Sequence, residues 1–235
     1  MAPFPLPHKP KHIPIIIAII TIAFTAAKVL PRFCLGNTQI LLFLKIVQKG
    51  TVPFCIIFEY ICIQTIVCMI QYIADQAHFK EVIERVPNIK ESLWIGTSDI
   101  KDLYVGERPF LGVLADLLKK GREVRLVHAK EPGPNFRQDF DRYPILFDGL
   151  ERVLCPRVHF KIIIFDHMLA YIGSANLTGA GIGMKSPQTR NFEAGILTDD
   201  PTLVEQAMNQ FDSVWAGIQC KNCGRKKFCS DPIAK

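Results

Sequence analysis

The apolar and polar positions change character along the chain. Residues 1–12 interleave Pro3, Pro5, Pro7 and Pro10 with Lys9 and Lys11, which predicts an irregular basic leader. From Pro14 to Leu30 the chain is almost wholly apolar until Lys28, a stretch of 17 residues at the short edge of what spans a bilayer. A second run, Val52 to Ile73, has 22 residues, but its Glu59, Gln64 and Gln71 would be costly against lipid. Together these predict an apolar helical N-terminal segment over residues 1–75. A membrane anchor is the preferred reading. A translation start at Met69 comes next, and a signal peptide last, because Thr25-Ala26-Ala27 makes a poor cleavage site.

After residue 75 short apolar runs alternate with helical periodicity, the pattern of an α/β domain, placed here over 76–216. Phe79 to Val86 predicts a short amphipathic helix closed by Pro87-Asn88. Ser92 to Thr97 predicts a buried strand. Arg108 to Lys120 predicts a helix capped by Gly121. Glu123 to His128 alternates as a strand, and Glu131 to Tyr143 reads as a polar loop. Val158 to Phe165 and Leu169 to Ile172 predict two strands joined by a tight turn at Asp166-His167. Thr202 to Trp215 predicts a helix opened by Asp199-Asp200-Pro201. Residues 217–235 form a basic, cysteine-rich tail, and the chain contains no internal repeat.

Charge modifies this picture only slightly. Six of the 28 basic and two of the 22 acidic residues lie in 1–75, so the remainder is nearly neutral. A nucleic-acid enzyme often carries a stronger basic bias. The eight cysteines do not form the dense framework of a small secreted scaffold.

The chemistry concentrates in one stretch. His159, Lys161 and Asp166 are followed by Gly173-Ser174-Ala175-Asn176, giving H-x-K-x4-D-x6-G-S-x-N. Alternate residues of a strand share a face, so His159 and Lys161 are expected to project together, with Phe160, Ile162 and Ile164 turned into a core. A nucleophile and a cation then stand side by side. Asn176 adds amide donors and Gly173 lets backbone approach an anion. Each feature alone has a bland reading, a hydrogen-bonded core histidine or an ordinary turn; the combination at this spacing favours a phosphate-handling site.

This motif resembles the signature of the phospholipase D superfamily at every defined position. The resemblance is strongest over 153–197 and extends over about 90–216. It implies a mixed sheet flanked by helices and phosphodiester hydrolysis with no catalytic cofactor. His159 becomes the nucleophile, Lys161 and Asn176 the charge-stabilising donors, and Ser174 the residue that orients its neighbours. Asp166 is counted with the catalytic set, although its place in a turn points to shaping the loop. In Arg190-Asn191-Phe192-Glu193-Ala194-Gly195-Ile196 the resemblance implies that Glu193 bonds the His159 imidazole. Gly173 and Arg190 are assigned to substrate binding, while Arg190 and Lys185 also read as solvated loop charges. Family members need two motifs per site and this chain has one, which implies a homodimer with two His159 residues in each site.

The C-x2-C-x5-C pattern of Cys220, Cys223 and Cys229 is one thiolate short of a four-ligand set, and Cys155 is the fourth candidate. A structural zinc ion or iron–sulfur cluster is the preferred reading, with free or disulfide-forming thiols as the alternative. Such ligands favour a reducing compartment, so the chain is placed in the cytoplasm or on the cytoplasmic side of a membrane. The apolar N-terminal third favours a phospholipid substrate; small single-motif relatives and the basic tail favour nucleic acid. A non-catalytic phosphate- or nucleic-acid-binding scaffold is the alternative to an enzyme.

Overall fold

The computed structural model describes residues 68–101, 103–130, 132–230 and Ile233. Every described residue belongs to one compact unit, Val67–Lys235. The anchor and signal-peptide readings of the apolar prefix lie outside the described residues. Among the described residues no helix is long and apolar enough to cross a membrane.

Seven strands build the central sheet: β1 (Ile70–Ala74), β2 (Ser92–Thr97), β3 (Glu123–His128), β4 (Glu151–Leu154), β5 (Lys161–Phe165), β6 (Leu169–Gly173) and β7 (Ala194–Thr198). Their spatial order is β1-β7-β6-β5-β2-β3-β4. β2, β3 and β4 run parallel, whereas β5, β6, β7 and β1 pair antiparallel, so the sheet is mixed. Four α-helices, α1 (Phe110–Lys119), α2 (Pro134–Asp141), α3 (Ile145–Gly149) and α4 (Pro201–Trp215), and two short two-stranded sheets accompany it among the described residues.

The central strands β2 and β5 are buried on both faces, which explains their near-continuous apolar sequences. Leu93, Ile95, Ile163 and Phe165 join the core under α1. Their neighbours Trp94, Ile162 and Ile164 join a second core with Val204, Ala207 and Phe211 of α4. At the start of α4 the Asp200 carboxylate accepts from the N–H groups of Thr202 and Leu203, capping the helix as the Asp-Pro start predicts.

Four expectations change. Ile70–Ala74, assigned above to the N-terminal segment, is the edge strand β1. The expected helix at Phe79 to Val86 splits into a π-helical turn, Phe79–Ile83, and a 3-10 turn, Val86–Asn88, with Pro87 unable to continue the first. The expected loop over 131–143 contains α2: Phe136 and Phe140, four apart, stack at 6.1 Å and give this polar segment one apolar side. The strand expected from Val158 begins only at Lys161. His159 therefore precedes β5 instead of sitting within it.

Candidate functional site

Register brings His159, Lys161, Gly173, Ser174 and Asn176 to one end of the sheet. Lys161 pairs with Gly173 across β5 and β6, and Gly173 pairs with Gly195 across β6 and β7. These three positions lie on successive strands at about 4.8 Å spacing. His159 stands two residues before Lys161, Ser174 and Asn176 follow Gly173, and Glu193 stands two before Gly195. Thr97 closes β2 at the same end, since Gly96 pairs with Ile162.

His159 is exposed, and its imidazole makes no hydrogen bond to another described residue. Lys161 is only 5% exposed, and its ammonium donates to the His159 carbonyl at 2.7 Å. Burial lowers the Lys161 pKa, and the Glu193 carboxylate partly opposes that shift. The cation is thus poorly solvated and held against the backbone of His159.

Asn176 is oriented from behind. Its Oδ1 accepts from the Asp99 N–H at 3.2 Å and lies 3.4 Å from the Thr97 hydroxyl oxygen. These groups occupy the carbonyl end, so the amide N–H groups remain for another acceptor. Thr97 also accepts from the Leu177 N–H at 3.3 Å and donates to the Asp99 carbonyl at 2.8 Å. Thr97 and Asp99 were not among the expected site residues; the one signal in the sequence was a polar Thr-Ser-Asp ending an apolar strand.

Glu193 departs from expectation. Its carboxylate accepts from the Ser174 hydroxyl through one oxygen and from the Asn191 side-chain amide at 3.1 Å through the other. No hydrogen bond joins it to His159, so the expected Glu193–imidazole bond is replaced by one to Ser174. Asp75, beyond β1, holds Glu193 in place by two bonds. Its carboxylate accepts the Glu193 N–H at 3.1 Å and its own N–H donates to the Glu193 carbonyl at 3.0 Å.

Asp166 stands apart from the other motif residues. It lies beyond the far end of β5, about 15 Å along the strand from Lys161. Asp166 and His167 take φ values of 51° and 56°, a tight hairpin turn. The Asp166 carboxylate accepts the N–H groups of Lys90, Glu91 and Ser92 at 2.7–3.2 Å. It therefore fastens the hairpin to the start of β2. Arg190 donates to the Gln76 side chain at 3.3 Å, and Lys185 is exposed.

Two glycines make room for aromatic rings beside the site. A Cβ on Gly96 would run into the Phe160 ring, beside His159. A Cβ on Gly173 would meet the Tyr171 phenol and stand 2.8 Å from the Ala194 carbonyl. Tyr171 is fully buried, and its hydroxyl accepts from the Ala175 N–H at 3.3 Å. Backbone cannot yield cheaply, so Gly173→Ala is expected to cost about 1–3 kcal/mol of stability and to lower activity. Thermal unfolding tests this; a variant as stable and as active as wild type would contradict the packing described.

Among the described residues no group of three or more His, Cys, Asp or Glu side chains is arranged to hold a metal ion. Cys155, Cys220, Cys223 and Cys229 are half-buried free thiols. Backbone and guanidinium donors, the Arg225 N–H first and then Arg157, lower the Cys223 pKa.

Residues 82–215 match the family model described as cardiolipin synthase, PLD-like domain. Three solved structures are similar. NucT from Helicobacter pylori is 16% identical with a TM-score of 0.48, over 62% of this chain and 94% of that one. Nuc from Salmonella typhimurium, a phospholipase D family member, is 19% identical with a TM-score of 0.49, over 63% and 94%. A phosphatidylserine synthase from Haemophilus influenzae is 17% identical with a TM-score of 0.42, over 62% and 39%. No curated protein matches the chain.

Proposed function

The chain belongs to the phospholipase D superfamily, and from that premise we propose that it hydrolyses a phosphodiester through a phosphohistidine in a homodimeric site. The observation that carries this reading is the exposed, uncommitted imidazole of His159 beside a buried Lys161 and an Asn176 whose amide donors are turned free.

In the proposed reaction His159 of one protomer attacks phosphorus, forming a P–N bond as the P–O bond to the leaving alcohol breaks. His159 of the partner protonates that alcohol, then takes a proton from the incoming water, whose oxygen displaces the imidazole. Lys161 and Asn176 of both protomers donate to the nonbridging oxygens as charge shifts onto them. Glu193, fixed by Ser174 and Asp75, favours the charged form of Lys161. One imidazole starts neutral and the other protonated, so the rate should follow a bell-shaped pH profile.

Two observations support pairing. Each chain offers one such histidine, and Phe192, next to Glu193, is 93% exposed. A bare aromatic ring at the rim of a half-site suits cover by a second copy.

A paired assay with EDTA present tests the proposal. One reaction contains single-stranded DNA or RNA, and the other phosphatidylcholine vesicles. Turnover of either substrate is expected to survive chelation, and the active tube identifies the substrate class. Cleavage of neither would favour the non-catalytic scaffold. Cleavage abolished by EDTA, with the fold intact, would contradict the mechanism.

A further inference from the structure

The tail after α4 is turned inside out by the usual rules of burial. Between Ala216 and Ser230, the half-buried residues are Gly217, Cys220, Cys223 and Cys229. The large apolar residues of the same stretch, Ile218 and Phe228, are 66% and 57% exposed. A segment held by the hydrophobic effect would do the opposite. The thiols are what the tail presents to the domain.

What they face is also sulfur. Cys155, Cys220 and Cys223 line one cavity of about 250 Å³, together with Val158 and Phe160. Cys229 Sγ lies 3.9 Å from the carbonyl of Leu154, the residue before Cys155. Cys155 is anchored in turn, its N–H donating to the His128 carbonyl at 2.8 Å at the end of β3. Two thiols of the tail and Cys155 thus line one cavity that no carboxylate or imidazole lines, and Cys229 reaches the residue before Cys155. Arg157 approaches Cys223 Sγ at 3.8 Å, and Lys221, Arg225, Lys226 and Lys227 lie in the same tail. This basic surround suits a centre made of thiolates, which carries net negative charge.

We propose that Cys155, Cys220, Cys223 and Cys229 form a four-thiolate structural metal centre that fastens the tail to the segment leading into His159. Tetrahedral sulfur coordination suits zinc or an iron–sulfur cluster. As placed, no three of these side chains are arranged to hold a metal ion, so closing the centre to the roughly 2.3 Å bonds of a zinc–thiolate site requires the tail to move. The movable part is the tail, where Gly217 takes φ +65° and a Cβ on Gly224 would meet nothing within 4 Å. A closed centre would hold Cys155 through Phe160 from one side while Gly96 receives the Phe160 ring from the other. Metal binding stands apart from the reading of the active site; only the consequence for His159 rests on it.

The test uses the full chain purified without oxygen from cells supplied with zinc and iron. Elemental analysis is expected to find about one zinc per chain, or iron with acid-labile sulfide and visible charge-transfer absorption. Either result supports the proposal and identifies the metal. Alkylation mapped by mass spectrometry should find these four cysteines protected until a mercurial releases the metal into a chromophoric chelator. His159→Ala should retain full metal content while losing activity, which separates this centre from catalysis. Cys223→Ser should lose the metal; because that variant can fail to fold, the protection measured on wild type is the primary readout. A metal-free chain whose four thiols alkylate freely, or a Cys220–Cys223 disulfide, would overturn the proposal.

Discussion

Replacing His159 by alanine is expected to abolish turnover, by about 10³-fold or more, while thermal unfolding stays close to wild type. His159 is exposed and its ring bonds no described residue, so the fold has little to lose. The chemistry would lose both nucleophile and leaving-group acid, because one residue type fills both roles in a paired site. Mixing makes this sharper. If wild-type and His159→Ala chains exchange subunits and both histidines are required, activity per wild-type chain should fall in proportion to the wild-type fraction. Activity that stays constant per wild-type chain would mean that each protomer works alone.

The second large effect is expected at Lys161, and it should separate activity from stability. Lys161→Met keeps the length of the side chain and removes its charge. Activity should fall about 10²–10³-fold, the usual effect of losing one preorganised donor to a charge-developing oxygen. Stability should be equal or higher, since an ammonium 5% exposed carries a desolvation cost that methionine avoids. The pH dependence follows from the lowered pKa of Lys161. Between that lowered pKa and 10.5 the unfolded chain binds more protons than the folded one at this position. Wild-type stability therefore gains a contribution as pH rises through that window, and loses it as pH falls through the folded pKa. The Met variant should lack this contribution. Over the same alkaline window wild-type activity should decline as Lys161 deprotonates. Unfolding curves and rates across the alkaline range test both statements; an active Met variant would remove Lys161 from the mechanism.

The sequence disclosed those parts of the molecule whose information is local. The apolar run Ser92–Thr97 and the Asp-Pro start of α4 carry their own periodicity and capping chemistry, and both form where expected. His159, Lys161, Gly173, Ser174 and Asn176 could be singled out because their spacing along one hairpin is itself a pattern. Residues joined only by the fold could not. Asp75 meets Glu193 across 118 positions of sequence, and Thr97 meets Asn176 across 79. Nothing near Asp75 distinguishes it from the end of an apolar run, so β1 was assigned to the wrong part of the chain. Glu193 shows a different limit. Its place beside the site could be expected, but its partner depended on which side chain the β6–β7 register brought nearest, and that is Ser174. The helix over Pro134–Asp141 was hidden because its only apolar signal is one aromatic pair in a polar stretch.

The central claim is that His159 carries the phosphoryl group between the two steps, and trapping that intermediate tests it most directly. Wild-type chain mixed with a phosphorus-labelled phosphodiester, identified by the paired assay, should be quenched within one turnover. The account predicts an acid-labile, base-stable label on the peptide that contains His159, absent from His159→Ala. Label on another residue, or full single-turnover cleavage with no labelled protein at any time, would contradict it.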